Sequence, residues 1–190
     1  MAEENRLRFV EAMRELDGPA ILELLPHLSL TDLSVVRQYW FNGDLGQLDP
    51  TNVLTAGDFA DQFLSLPEHA VALYDAALEF MDKHPESIAD DTDCAAASLN
   101  LMDLLAKAGQ HRAAVTAARR AARMPVKRAE QNIQIAIGLS QGGDAKTALM
   151  LFQRGKAGGL SSVAAAMDVT VNDLNQMERV LVHAVAVGGD

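Results

Sequence analysis

Leu104 to Pro125 reads "LLAKAGQHRAAVTAARRAARMP", with six basic side chains (counting His111) and no acidic one, inside a chain whose formal net charge is −10. Gly109 divides the stretch. Before it runs an apolar helical end. After it, alanines and arginines alternate at helical spacing. At about 100° per residue, Arg112, Arg119 and Arg123 fall within ~40° of one another, and Ala114, Ala118 and Ala121 lie on the opposite side. The stretch therefore describes two helices joined at a glycine, with small residues facing inward and arginines outward.

Working outward from it, the same layout recurs. The second helix of each pair carries a small residue, three residues, a filler, two residues and a second small residue. This gives Ala70, Tyr74 and Ala77, then Ala114, Ala118 and Ala121, then Ala148, Phe152 and Gly155. A turn residue precedes each one: Ser65, Gly109 and Gly143. Gly109 to Gly143 and Ala114 to Ala148 are both steps of 34 residues, and Ala70 to Ala114 is a step of 44. The additional ten residues are an acidic connector. Small residues on one stripe let two helix axes approach closely, and glycine takes the left-handed conformation that ends a helix cleanly.

A period of 34 residues made of two helices resembles the tetratricopeptide repeat. Leu101, Met102 and Leu105, and Ile135, Ala136 and Leu139, stand where that family places its apolar ridge, and Pro125 is near its closing proline. The resemblance spans Thr51 to about Ser162. It departs from the family pattern at Ser98 and Asn132, where an opening Trp would stand, at Gly57-Asp58, and in a third copy closed by Gly158-Gly159.

The expected fold is all-α. It comprises an N-terminal helical module (1–49), three tetratricopeptide-like pairs forming a right-handed superhelix (50–160), and C-terminal capping helices (161–190). Helices are expected at Glu3 to Leu16, closed by Asp17-Gly18, at Ala20 to Leu28, broken by Pro26, and at Ser29 to Phe41. The pairs are Pro50 to Leu64 with Pro67 to Lys83, Ala95 to Ala108 with His111 to Met124, and Lys127 to Gln141 with Asp144 to Lys156. Ser162 to Met167 and Asn172 to Val187 follow. Alanine, at 31 of 190 residues, and an aromatic content of 5% favour thin, closely packed helices.

Charge is uneven. Residues 1–93 hold 19 acids against 5 bases, residues 94–130 hold 2 against 7, and residues 131–190 hold 5 against 4. Such acidity argues against broad nucleic-acid affinity. No run approaches the roughly 20 apolar residues that span a bilayer, and "MAEENRLRFVEAM" builds no signal-peptide core, so a soluble, cytoplasmic protein is expected. A lone Cys94 forms no internal disulfide.

Two surfaces are candidates for binding. The tetratricopeptide resemblance implies a concave face formed by the first helices, bearing Phe59, Phe63, Leu99, Asp103, Lys107, Ile133 and Ile137. Phe59 with Phe63, and Ile133 with Ile137, are four residues apart and so share a helix face. Such a groove suits an amphipathic helix or an extended peptide, unless the terminal helix "LNQMERVLVHAVAV" fills it. Glu130 and Gln134 stand where carboxylate-gripping relatives carry basic residues. The second surface is the ridge of Arg112, Arg119, Arg120 and Arg123, which is either a solvated face or a docking stripe for an acidic partner, self-association included.

"SVAAAMDVTVNDLNQM" has the rhythm of a helix-turn-helix, with Ala164, Asp168 and Leu174 as small, turn and anchor residues. Its second helix carries Asp173 and no Lys or Arg through Gln176, so it offers no phosphate contact. The five histidines form no recognised ligand pattern, and Glu86, Asp90, Asp91 and Asp93 lack the glycine and closing glutamate of a calcium loop. No catalytic, cofactor or metal site is expected. The chain is anticipated to be a protein-binding scaffold, adaptor, assembly factor or chaperone; the alternative is a nucleic-acid-associated regulator acting through the C-terminal hairpin.

Overall fold

The computed structural model describes residues 2–44, 48–87 and 92–188. Among these there are eleven α-helices and no strand. They are α1 (Ala2–Glu15), α2 (Gly18–Leu24), α3 (Leu30–Phe41), α4 (Pro50–Gln62), α5 (Pro67–Lys83), α6 (Cys94–Lys107), α7 (His111–Ala121), α8 (Ala129–Gln141), α9 (Ala145–Lys156), α10 (Leu160–Ala166) and α11 (Val171–Val187). Single 3-10 turns occur at Leu25–His27 and Pro85–Ser87. Among the described residues, no helix is long and apolar enough to cross a membrane. The chain forms two compact units, Met1–Thr92 with α1 to α5 and Asp93–Asp190 with α6 to α11.

In the first unit, Ser29 and Asp32 form a reciprocal capping box that starts α3, and Asp49 with Pro50 starts α4. The helices α4 and α5 pack side by side as a hairpin. Tyr74 is fully buried between them, and a Cβ at Gly57 would come within 3.1 Å of its ring. Its hydroxyl donates to Asp58 at 2.5 Å. Gly57-Asp58, out of place in the repeat pattern, is thus the seat of the large filler. Asn52 Nδ2 donates to the Met13 carbonyl at 2.8 Å and ties α4 to the end of α1.

In the second unit, α6 pairs with α7 and α8 with α9. The core gathers Leu99, Ala118, Ile133, Ile135, Leu139, Phe152, Leu174 and Leu181. A Cβ at Gly138 would lie 2.8 Å from Ala118 Cβ, so the absence of a side chain there lets α8 lie close against α7. Helix α11 packs on α9, covering the flank that a last hairpin would otherwise leave bare.

All nine residues of the recurring stripe are buried. The three turn residues all adopt positive φ: 52° at Ser65, 74° at Gly109 and 80° at Gly143. At Gly109 and Gly143 the following N–H reaches back five residues, from Gln110 to Leu105 and from Asp144 to Leu139, which closes a Schellman motif.

Three boundaries differ from expectation for identifiable reasons. Leu16, not Gly18, takes the left-handed φ of 54° that ends α1, because Asp17 is already committed to capping α2 by accepting from Ala20 N–H. Helix α7 stops at Ala121 because Met124 precedes Pro125, whose ring disfavours the helical conformation one residue earlier. Helix α10 begins at Leu160, after Gly159 turns the chain at φ 102°.

Candidate functional site

The exposed side of α6 and α8 holds a cleft of about 330 Å³. Its position is fixed at one end by Asp93, which accepts from Ala96 N–H at 2.8 Å to cap α6 and from Gln131 Nε2 at 2.9 Å. Gln131 in turn accepts from the Lys127 and Arg128 N–H groups, each at 3.0 Å, where α8 begins. One buried amide therefore locks the starts of the two first helices together. Leu99, Met102 and Ile137 give the cleft its apolar surface, and Asn100, Asp103, Arg128 and Gln134 its polar rim.

The residues expected on a concave face divide between the units. Leu99, Asp103 and Ile137 line this cleft, and Lys107 lies beside it, donating to Asp103 at 2.6 Å. Ile133 is fully buried, and a Cβ at Gly155 would sit 2.7 Å from its Cγ1, so Ile133 is core beneath the cleft. Phe59 and Phe63 belong to the first unit. Their rings meet edge to face at 5.7 Å, with Phe59 half-buried and facing Gly18 and Phe63 66% exposed.

On α7, Arg112, Arg119 and Arg123 are exposed and Arg120 is half-buried. Arg123 lies in the turn just past the helix, held by its N–H to the Arg120 carbonyl at 3.0 Å.

In the C-terminal hairpin, Ala164 and Leu174 are buried and Asp168 makes the turn at φ 55°. Asp173 caps α11 with Thr170, whose hydroxyl holds the Asp173 carboxyl below its usual range. The exposed start of α11 shows Asn172, Asp173 and Gln176, and no cation before Arg179. Glu178 accepts from Lys156 at 2.6 Å and from Gln153, and the Lys156 bond leads in lowering the Glu178 carboxyl. These contacts direct α11 to α9. None of the residues lining the α6/α8 cleft comes from α11.

A second cleft, of about 730 Å³, is lined in part by Trp40, Phe41, Leu48, Phe80 and His84 in the first unit. Trp40 stacks on Phe80 at 4.3 Å, Phe80 on His84 at 4.5 Å, and Lys83 Nζ lies 4.7 Å from the centre of Phe41. The aromatic faces are thus largely satisfied from within, although the buried Trp40 Nε1 has no acceptor among the described residues. Trp40 and Phe80 are 40 positions apart, so packing and not local spacing brings these rings together. Of the acidic connector, Glu86 pairs with His84 at 3.3 Å and Asp93 caps α6, while Asp90 and Asp91 lie outside the described residues.

No known family, curated protein or solved structure matches the chain.

Proposed function

We propose that the protein is a non-covalent interaction module, an adaptor, assembly factor or chaperone, whose tetratricopeptide-like hairpins form a right-handed superhelix and hold a peptide segment against α6 and α8. The observation that carries this reading is the cleft itself: an apolar surface of Leu99, Met102 and Ile137 inside a rim that bears both signs of charge, Asp103 and Arg128. Its walls are two helices fixed at one end by Asp93 and Gln131, so little ordering is required when a segment binds. A volume of about 330 Å³ takes a few side chains, which fits one or two apolar anchors of a helix or strand. The recurrence of stripe and turn in three hairpins supports the repeat reading, and the partner's charged groups would pair with the rim.

The test is selection of binders from a random peptide library, followed by titration against Ile137→Asp and Asp103→Arg. Ile137 is only half-buried and Asp103 is exposed, so both variants should keep wild-type helicity. The selected peptides should lose at least tenfold in affinity (about 1.4 kcal/mol) on Ile137→Asp. Unchanged affinity in the folded variants would reject the cleft.

A further inference from the structure

We infer that the arginine ridge of α7 is the docking surface for helix α1 of a second copy of this chain. Two observations lead there. First, the first unit is closed electrostatically for its cations. Each of its five Lys and Arg residues has a carboxylate within the same unit: Arg6 with Asp32, Arg8 with Glu23, Arg14 with Glu11, Arg37 with Asp75 and Glu79, and Lys83 with Glu79. Its excess acids remain, and Glu4 and Glu15 on α1 are exposed with no ion pair among the described residues. The α7 ridge has the opposite condition, with exposed Arg112 and Arg119 on a helix that contains no acid and exposed Arg123 in the turn just past it.

Second, the two stripes have the same spacing. Glu4, Glu11 and Glu15 stand at offsets of 0, 7 and 11, as do Arg112, Arg119 and Arg123. On α1 the three acids fall within ~40° of one another, opposite the buried face; on α7 Arg112 and Arg119 fall within ~20°, and Arg123 follows in the turn after the helix. Laid parallel, the three acids meet the three arginines and Arg8 meets Thr116. Laid antiparallel, Arg8 would face Arg119. The match therefore selects an orientation as well as a partner.

The fold already uses the equivalent surface once. Forty-four residues earlier, at matching places on α5, stand Glu68, Asp75 and Glu79, and α3 lies against α5 with Arg37 on the last two. In each copy the α7 stripe is basic and the α1 stripe acidic, so the contact either closes as a reciprocal two-fold pair or runs head to tail. It rests on charge and not on the cleft of α6 and α8.

Sedimentation velocity across a concentration series tests it. At about 0.1 M salt the screening length is ~10 Å, which leaves adjoining stripes attractive while muting the overall negative charge; at about 1 M it is ~3 Å. Wild type should associate in the first condition and be monomeric in the second. R112E/R119E/R123E and E4R/E11R/E15R should each be monomeric alone, and their equimolar mixture should associate, because every stripe then finds its opposite. R112Q/R119Q/R123Q serves if the reversed set loses helicity, and should likewise be monomeric. A wild type that stays monomeric at about 0.1 M salt overturns the inference, as does a reversed variant that associates like wild type, or a mixture no larger than its components.

Discussion

The α4/α5 and α6/α7 hairpins share a buried stripe and a left-handed turn, yet solve the space between helices in opposite ways. In the first, the filler is Tyr74, seated over Gly57 on its own partner helix with its hydroxyl on Asp58. In the second, the filler is Ala118, and Gly138 of the next hairpin closes the gap by coming near. The stripe sets the helix spacing. What fills it depends on where the opposing glycine stands, within the hairpin or on its neighbour.

Loss of the large filler should have the largest effect. Tyr74→Ala should destabilise by about 3–5 kcal/mol in denaturant unfolding, since no neighbour can replace a buried ring. Next, Gly138→Val should cost about 1–3 kcal/mol by forcing α8 off Ala118. Gly57→Ala should cost less than Gly138→Ala, because a Cβ at Gly57 meets only the Tyr74 ring at 3.1 Å, whereas one at Gly138 meets Ala118 Cβ at 2.8 Å. The turns offer a sharper, reciprocal test. Ser65→Gly should stabilise and Gly109→Ser destabilise, each by about 1 kcal/mol, because both positions require positive φ.

The smallest effect is the response to acid. Asp32 in the first unit is held below its ordinary value of 3.8 by the Ser29 hydroxyl, and Glu178 in the second is held below 4.5 by Lys156. The folded form therefore binds fewer protons than the unfolded one in this range. Both contributions are present above the ordinary carboxylate values and are lost as pH falls through the lowered ones. Ser29→Ala should flatten the acid limb for the first unit, and Lys156→Met that for the second, as read from unfolding midpoints against pH.

Much of the architecture was legible in the sequence because it depends on local rules. Ser65, Gly109 and Gly143 marked the three turns, and the stripe identified nine buried positions. The candidate site was legible only in part. Spacing put Ile133 and Ile137 on one helix face, but not how far that face sinks: Gly155 on α9 draws Ile133 into the core and leaves Ile137 at the surface. The Asp93–Gln131 bond that frames the cleft joins residues 38 apart and follows from packing, not from periodicity. Leu16 as a left-handed residue was hidden for a different, local reason: Asp17 caps α2, so the turn falls one residue earlier.

The most direct test of the proposed function is methyl NMR of the wild-type protein titrated with its tightest selected peptide. Shift changes concentrated at Leu99, Met102 and Ile137, with Val180 and Val182 on α11 unmoved, are the predicted result. Changes centred on α11, with those three methyls unaffected, would contradict it.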